Sequence, residues 1–546
     1  MYKAVVRSSN GDYHARALVG SHSISLGWNH TGPAADRATL LGFAIHRFDL
    51  TAKTDTWING QRRFAGQEQM GDNLDSRVAP IQKFRWGDYG AYPGHRYRYE
   101  IHPVKGTPAA PKLRKPVVLG IDAAPMLDRG VGVYSNRGVS ASLAYNGKFK
   151  LAPQDLPEPK QSQAYAWLTR DILPALLAYI QAAVAGDELR VAIYEFEDDD
   201  IIGALKAASA RGVRVRIIYH AKAGDGQTAQ NRANVATLGL PAVDVIPRTR
   251  VQNIGHNKFI VHRVPDGAGG HVAARVWTGS TNFTRSGLYL QTNLGLALEA
   301  PGVADAFSRY WDLLAADPDS ATAKAASAAL IQLVRPTLPS GPTLHFSPIA
   351  GKELLDVAVD LVANAKELVL ISSPFGLDGQ IIKAINGNDG NVVEYGLVNT
   401  TQGKMVKLIP HADSRFSWFT TPAWLPELDG RPWDAKPLGQ HKIHTKAIVT
   451  DPYSPKPRAL VGSANFSDES VNKNDENALL IEGDRRATAI VATEFLRMFD
   501  HYKTRAFIAS LPQKPDDRYL SSDGSWATPY YESFRLKFRE REVFAG

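Results

Sequence analysis

The chain states one short pattern twice. His256-Asn257-Lys258 precedes Gly279-Ser280-Thr281-Asn282-Phe283, and His444-Thr445-Lys446 precedes Gly462-Ser463-Ala464-Asn465-Phe466. A single H-x-K carries little information among 15 histidines. Two copies, each followed by the same G-S-x-N-F, require that the structure around them repeat as well, and the upstream sequence does. Leu189 to Tyr194 reads as a strand. Ile201 to Arg211 reads as a helix, with Ile201, Ile202, Leu205 and Ala208 at helical spacing, and Val213 to Tyr219 as a second strand. Glu367 to Ser372, Gly379 to Ile385 and Val392 to Val398 give the same order again. Leu189 and Leu368 lie 179 positions apart, and Asn282 and Asn465 lie 183 apart. A tandem pair of similar α/β units follows, each with a βαβ rhythm that implies parallel pairing, giving mixed or parallel sheets flanked by helices.

At 546 residues the chain exceeds one ordinary domain. Residues 1–110 read as a small all-β module, because runs such as Ser23 to Trp28, Leu41 to Phe48 and Tyr97 to Pro103 are short and punctuated by turn formers. Pro93 to Ile101 resembles a late strand of a fibronectin type III or immunoglobulin-like sandwich, where an aromatic near the strand start anchors a corner. The Pro- and Lys-rich stretch Thr107 to Pro116 reads as a linker. The expected division is 1–110 for the β sandwich, 111–340 and 341–512 for the two α/β halves, and 513–546 for a C-terminal tail.

The net charge of +8 suits an anionic partner, either nucleic acid or an acidic lipid surface, or simply keeps the protein soluble. The absence of cysteine excludes disulfides, thiolate metal sites and a cysteine nucleophile. Met1 to Asn10 has no apolar core of the signal-peptide kind. The most apolar stretch, Ile172 to Ala185, is interrupted by Pro174 and Gln181 and is shorter than the ~20 residues of a membrane span. The expectation is a cytoplasmic protein without a transmembrane segment, with signal-independent export as the other route.

If each H-x-K lies on a strand, its His and Lys face the same side. The glycine of G-S-x-N permits close backbone approach, and Ser and Asn reach the same pocket edge. A pseudo-two-fold axis then sets His256, Lys258, Ser280 and Asn282 opposite His444, Lys446, Ser463 and Asn465. Two lysines bind a phosphodiester and stabilise added charge in the transition state. The Ser and Asn side chains are expected to bond the non-bridging oxygens. One histidine can attack phosphorus while the other protonates the leaving oxygen and then deprotonates water. No metal or cofactor is called for. His441 and His444 have a zinc-like spacing but no third ligand in view.

These residues resemble the phospholipase D superfamily, whose pattern is H-x-K-x4-D followed by G-S-x-N. The resemblance covers about Val117 to Arg505. The second copy matches fully through His444, Lys446 and Asp451. In that family a carboxylate holds the histidine ring, which makes Glu476 the expected orienter of His444, and the N-terminal histidine is the usual nucleophile, which assigns His256. The first copy departs from the pattern. Arg263 stands where Asp belongs, and Asn293 or Thr292 stands where Glu476 does. His256 is therefore expected either to lack an acidic partner or to take one from elsewhere.

The superfamily includes phospholipases, phospholipid synthases and nucleases. The resemblance implies a metal-independent phosphodiesterase with a phosphohistidine intermediate. Trp418, Phe419, Trp424 and Trp433, in a Pro-rich segment before the second H-x-K, favour phospholipid head groups and peripheral membrane contact through residues 417–433. The same rings would also stack bases, so a nuclease of the same superfamily is the alternative. A binding protein with a degenerate first half-site is the third. The acidic run Glu195, Glu197 and Asp198 to Asp200 reads as a solvated helix start. Two internal copies complete a site without dimerisation, so a monomer is expected.

Overall fold

The computed structural model describes residues 2–60, 62–70, 74–138, 143–334, 343–388, 392–399, 417–420, 443–510 and 518–546. The repeat is visible as two sheets with the same strand order. In the first, Val131–Ser135, Leu294–Leu298, His271–Gly279, Lys258–Pro265, Glu188–Ile193, Arg214–His220 and Val245–Arg248 lie side by side. In the second the matching sequence is Thr343–Ser347, Glu476–Glu482, Arg458–Gly462, Lys446–Thr450, Leu368–Ser372, Val393–Leu397 and Ser417–Thr420. The first sheet carries one further edge strand, Leu127–Asp128.

Parallel pairing is confined to the side of each sheet that carries the βαβ unit. Glu188–Ile193 runs parallel to Arg214–His220 through the helix Asp199–Ala210, as Leu368–Ser372 does to Val393–Leu397 through Gly379–Gly387. The H-x-K strands lie antiparallel to both of their neighbours. Of the mixed or parallel sheets expected, the structure has mixed ones. The reason lies in the connections: Lys258–Pro265 and His271–Gly279 are joined by a loop too short for anything but a hairpin.

The N-terminal strands form two antiparallel sheets. Ala17, Leu26 and Trp28 of one face Phe43, Ile45, Tyr99 and Ile101 of the other across a buried core. The Tyr97 hydroxyl accepts the Tyr92 backbone N–H at 2.8 Å, so an aromatic does anchor the corner. The stretch expected to be a linker is part of this module. Ala110–Leu113 forms a hairpin with Arg96–Thr107, and Val117–Asp122 pairs along the same strand. Proline and lysine are tolerated there because an edge hairpin has no partner for every backbone group.

The stretch expected to be a tail also has a place. Residues 518–546 return to the N-terminal sheets, where Ala527 and Tyr530 enter their core and Trp526 Nε1 donates to the Leu40 carbonyl at 2.7 Å. These aromatics of the C-terminal stretch pack into the core of the N-terminal module. The long helix Arg485–Ser510 packs between these parts. Its Glu494 accepts from Ser23 of the β module and pairs with Arg170 of the first half, both at 2.8 Å. No helix of the described residues is long and apolar enough to cross a membrane.

Candidate active site

The two H-x-K motifs meet where the halves face each other. The His256 and His444 rings are 6.4 Å apart, centre to centre, and all four His and Lys side chains are buried. Each lysine opens its strand and its histidine lies two residues earlier, in the lead-in. Each lead-in is pinned by the opposite half. The His256 N–H donates to the Asp475 carbonyl at 2.9 Å, and the His444 N–H to the Thr292 carbonyl at 3.1 Å.

The side chains follow the same crossing. His256 Nδ1 donates to Glu476 Oε2 at 2.8 Å, and His444 Nδ1 donates to Asn293 Oδ1 at 2.9 Å. Glu476 was expected to hold His444; it holds His256 instead. The backbone explains why. Glu476 opens a strand beside its own G-S-x-N segment, and the preceding Asp475 forms a bridge with Gly255 of the other half. Thr292 forms the matching bridge with Ile443. The carboxylate missing from the first half is supplied by the second, and the second half receives an amide in return. Glu476 is itself fixed by Ser470 Oγ at 2.7 Å and Asn474 Nδ2 at 3.0 Å.

Electrostatics set the proton positions. Burial, reinforced by Lys258 and Lys446, holds the His256 imidazole well below the usual histidine range. His444 is lowered in the same way by burial and then by Lys446 and Lys258. Both shifts favour the neutral ring, and a proton on each Nδ1 would satisfy its acceptor and leave Nε2 as a lone pair. Burial also pushes the Glu476 carboxyl up to about 7, against the pull of Lys258. Burial lowers both lysines, although Glu476 and Glu195 oppose this. Lys446 Nζ donates to His444 Nε2 at 2.9 Å, and Lys258 Nζ to the His256 carbonyl at 2.5 Å.

The serines do not offer free hydroxyls. Ser280 Oγ donates to Asn293 Oδ1 at 2.7 Å and accepts the Leu294 N–H at 3.0 Å. Ser463 Oγ accepts the Asn477 N–H at 3.0 Å. Each ties its motif to the next strand, because the turn after Gly places Oγ against that strand's first amides. Asn282 and Asn465 differ from them: the Oδ1 atoms of both are buried and have no hydrogen-bond partner among the described residues.

Asp451 is remote from the histidines. It lies past the far end of its strand, and its carboxylate accepts the backbone N–H groups of Lys366, Glu367 and Leu368. In the first half Arg263 makes the equivalent tie, pairing with Glu188 at 2.7 Å. That departure from the pattern replaces one structural clamp with another.

Sequence reasoning missed three residues. His220 ends the second strand of the first βαβ unit and Asn399 lies two residues past the end of the matching strand, 179 positions apart like Leu189 and Leu368. His220 Nδ1 accepts the Gly255 N–H at 3.1 Å, and Asn399 Oδ1 accepts the Ile443 N–H at 2.8 Å. Each therefore fixes the residue before a histidine. The repeat offset held that signal, but His and Asn do not look alike in sequence. The third is Glu195, expected as part of a solvated helix start. Its carboxylate is half-buried and accepts the Asn282 side-chain amide, while Asp198 caps the helix by accepting the Ile201 N–H at 3.1 Å.

Residues 176–314 and 359–500 match the family model described as "Cardiolipin synthase, PLD-like domain", just over half of the chain. The chain belongs to the phospholipase D superfamily. Its members act on phosphodiesters, and the two matched segments each carry one H-x-K and one G-S-x-N. Among solved structures, the phospholipase D family member Nuc from Salmonella typhimurium is 25% identical over 26% of this chain and 84% of its own, with a TM-score of 0.21. Phosphatidylserine synthase from Haemophilus influenzae is 14% identical over 64% and 92%, with a TM-score of 0.41. Polyphosphate kinase from Porphyromonas gingivalis is 14% identical over 58% of this chain, with a TM-score of 0.41; the match spans 43% of the kinase's length. No curated protein matches the chain. His441 and the aromatic segment 421–433 lie outside the described residues, and Ser417–Thr420 is a strand at the sheet edge.

Proposed function

We propose that the protein is a phospholipase D-type phosphodiesterase that hydrolyses phospholipid head groups. The observation that carries this reading is the crossed pair of buried histidines, each anchored through Nδ1 by the opposite half and flanked by a buried lysine. His256 Nε2 attacks phosphorus. Glu476, on the far side of the ring, stabilises the positive charge that develops as the P–N bond forms. The P–O bond to the head-group alcohol breaks, and its oxygen takes the proton that His444 Nε2 receives from Lys446 Nζ. Lys446 already directs a proton at that nitrogen. His444 then removes a proton from water, which attacks phosphorus, and the P–N bond breaks. Lys258 and Lys446 offset the charge on the non-bridging oxygens, and the Asn282 and Asn465 side-chain amides donate hydrogen bonds to them.

His256 is the better nucleophile because it alone has a carboxylate partner. His444 has only an amide, which gives an imidazolium no compensating charge and favours proton release. This pairing also removes the reason for expecting a decayed first half. A lipid substrate is supported by the description of the matched model and by Phe375, a half-exposed ring 6.2 Å from the His444 ring. The net charge of +8 favours a second reading, a nuclease of the same family.

Vesicles of phosphatidylcholine or phosphatidylglycerol and, separately, single- and double-stranded DNA and RNA, all with EDTA present, distinguish the two. Head-group release with nucleic acid intact is expected. Cleavage of nucleic acid in EDTA with lipid untouched would establish the nuclease instead. Acid-labile phosphate is expected on His256, and its appearance on His444 would reverse the two roles.

A further inference from the structure

The two halves of the site are unequal at one more position. Register aligns Ile193, paired with Lys258, with Ser373, the residue following Ser372, which pairs with Ala447. Glu195 in the first half therefore corresponds to Phe375 in the second. The helix caps three residues later, Asp198 and Asp378, confirm the match. Because the fold accepts a phenylalanine at this position, it does not require a carboxylate there.

Glu195 sits among the groups that would hold a phosphate. Its Oε2 accepts the side-chain amide of Asn282, and it acts electrostatically on both Lys258 and Lys446. The adjacent Tyr194 ring lies 5.4 Å from Lys258 Nζ and 5.2 Å from the His256 ring. A carboxylate oxygen thus occupies, on Asn282, the place that a phosphate oxygen would take. Glu195 and Glu476 both act on the two lysines, so part of the lysines' charge is offset before any substrate enters.

We propose that Glu195 is a charge-selecting residue that stands in for a phosphate oxygen in the empty site and makes it favour singly charged phosphodiesters over doubly charged phosphate monoesters. A monoanionic diester displaces the carboxylate from Asn282 at the cost of one like-charge contact. A dianion meets twice that repulsion within the same buried space. Hydrolysis turns a diester into a monoester, so the product gains the charge that Glu195 repels, and its release is assisted. Burial raises the Glu195 carboxyl above its ordinary range against the pull of Lys258, which eases proton uptake as an anion enters. The inference rests on the phosphodiester reading of the site.

The test is calorimetric titration of the full chain with inorganic phosphate and with dimethyl phosphate at mildly alkaline pH, for wild type, Glu195→Gln and Glu195→Ala. The glutamine keeps an oxygen for Asn282 and loses only the charge. Both variants are expected to gain roughly tenfold or more in affinity for inorganic phosphate, with a smaller change for dimethyl phosphate. An unchanged ratio of the two affinities in both variants overturns the role of Glu195. Turnover of bis(4-nitrophenyl) phosphate by the wild type is measured alongside. If it is turned over while the ratio stays fixed, only Glu195 is misassigned. If it is not turned over and neither anion binds, the phosphodiester reading fails and this inference fails with it.

Discussion

Glu476 is the residue on which the site's asymmetry turns. It sees His256 across the interface, and removing its charge without changing its shape separates orientation from electrostatics. Glu476→Gln can still accept from His256 Nδ1, but it no longer offsets the imidazolium charge of a phosphohistidine. We expect kcat to fall by about 100-fold or more while the fold is retained, with formation of the labelled intermediate, followed by rapid quench, as the slowed step. An intermediate that forms at the wild-type rate and breaks down slowly would instead place Glu476 on the second step. The lysines, histidines and asparagines of this site were legible because the chain states them twice. Glu476 was legible as a carboxylate but not as the partner of His256, since no spacing within one half reveals a side chain that crosses to the other. His220 and Asn399 were illegible for a different reason: they do the same work with unlike side chains, and only backbone register pairs them.

At the scale of elements, the strand that follows each G-S-x-N is held by contact so close that only glycine fits before it. A Cβ on Gly279, whose φ is +141°, would lie 2.2 Å from the Leu294 carbonyl oxygen. Gly279→Ala must therefore push the Leu294–Leu298 strand away, and Asn293 with it. A loss of roughly 2–4 kcal/mol in urea unfolding is expected, with kcat reduced in the molecules that remain folded. Asp451→Ala makes the contrast. It removes an acceptor for three backbone N–H groups far from the histidines, so about 1–3 kcal/mol should be lost with kcat and KM per folded molecule close to wild type. A large fall in kcat would instead tie Asp451 to the chemistry. The βαβ elements were legible from hydrophobic spacing. The antiparallel return of the H-x-K strands was not, because alternating and continuous apolar runs carry no direction.

At the scale of the whole molecule, the helix Arg485–Ser510 joins parts that are distant in sequence. Glu494, 4% exposed, meets Arg170, Arg497 and Ser23, each at 2.8 Å. Despite burial, Arg170 and then Arg497 hold its carboxyl far below the usual range. A carboxyl depressed on folding contributes stability that is complete above its unfolded pKa of about 4.5 and is lost as pH falls below it. Glu494→Gln should cost about 3–5 kcal/mol at neutral pH, and its Tm deficit should narrow as pH drops below 4.5. A deficit independent of pH would mean that packing, not charge, makes the joint. The N-terminal β module was legible from its short punctuated strands, but its attachment was not, because the aromatics of residues 518–546 complete a core that begins more than 400 positions earlier. The crossing of the histidine partners has a consequence in time. On the ribosome, His256 is made 220 positions ahead of Glu476. The first half can leave the exit tunnel and fold, yet it stays chemically silent until the second arrives. A nascent, prematurely released or proteolysed N-terminal fragment carries His256 without its partner, and no complete site is set free while the protein is being built.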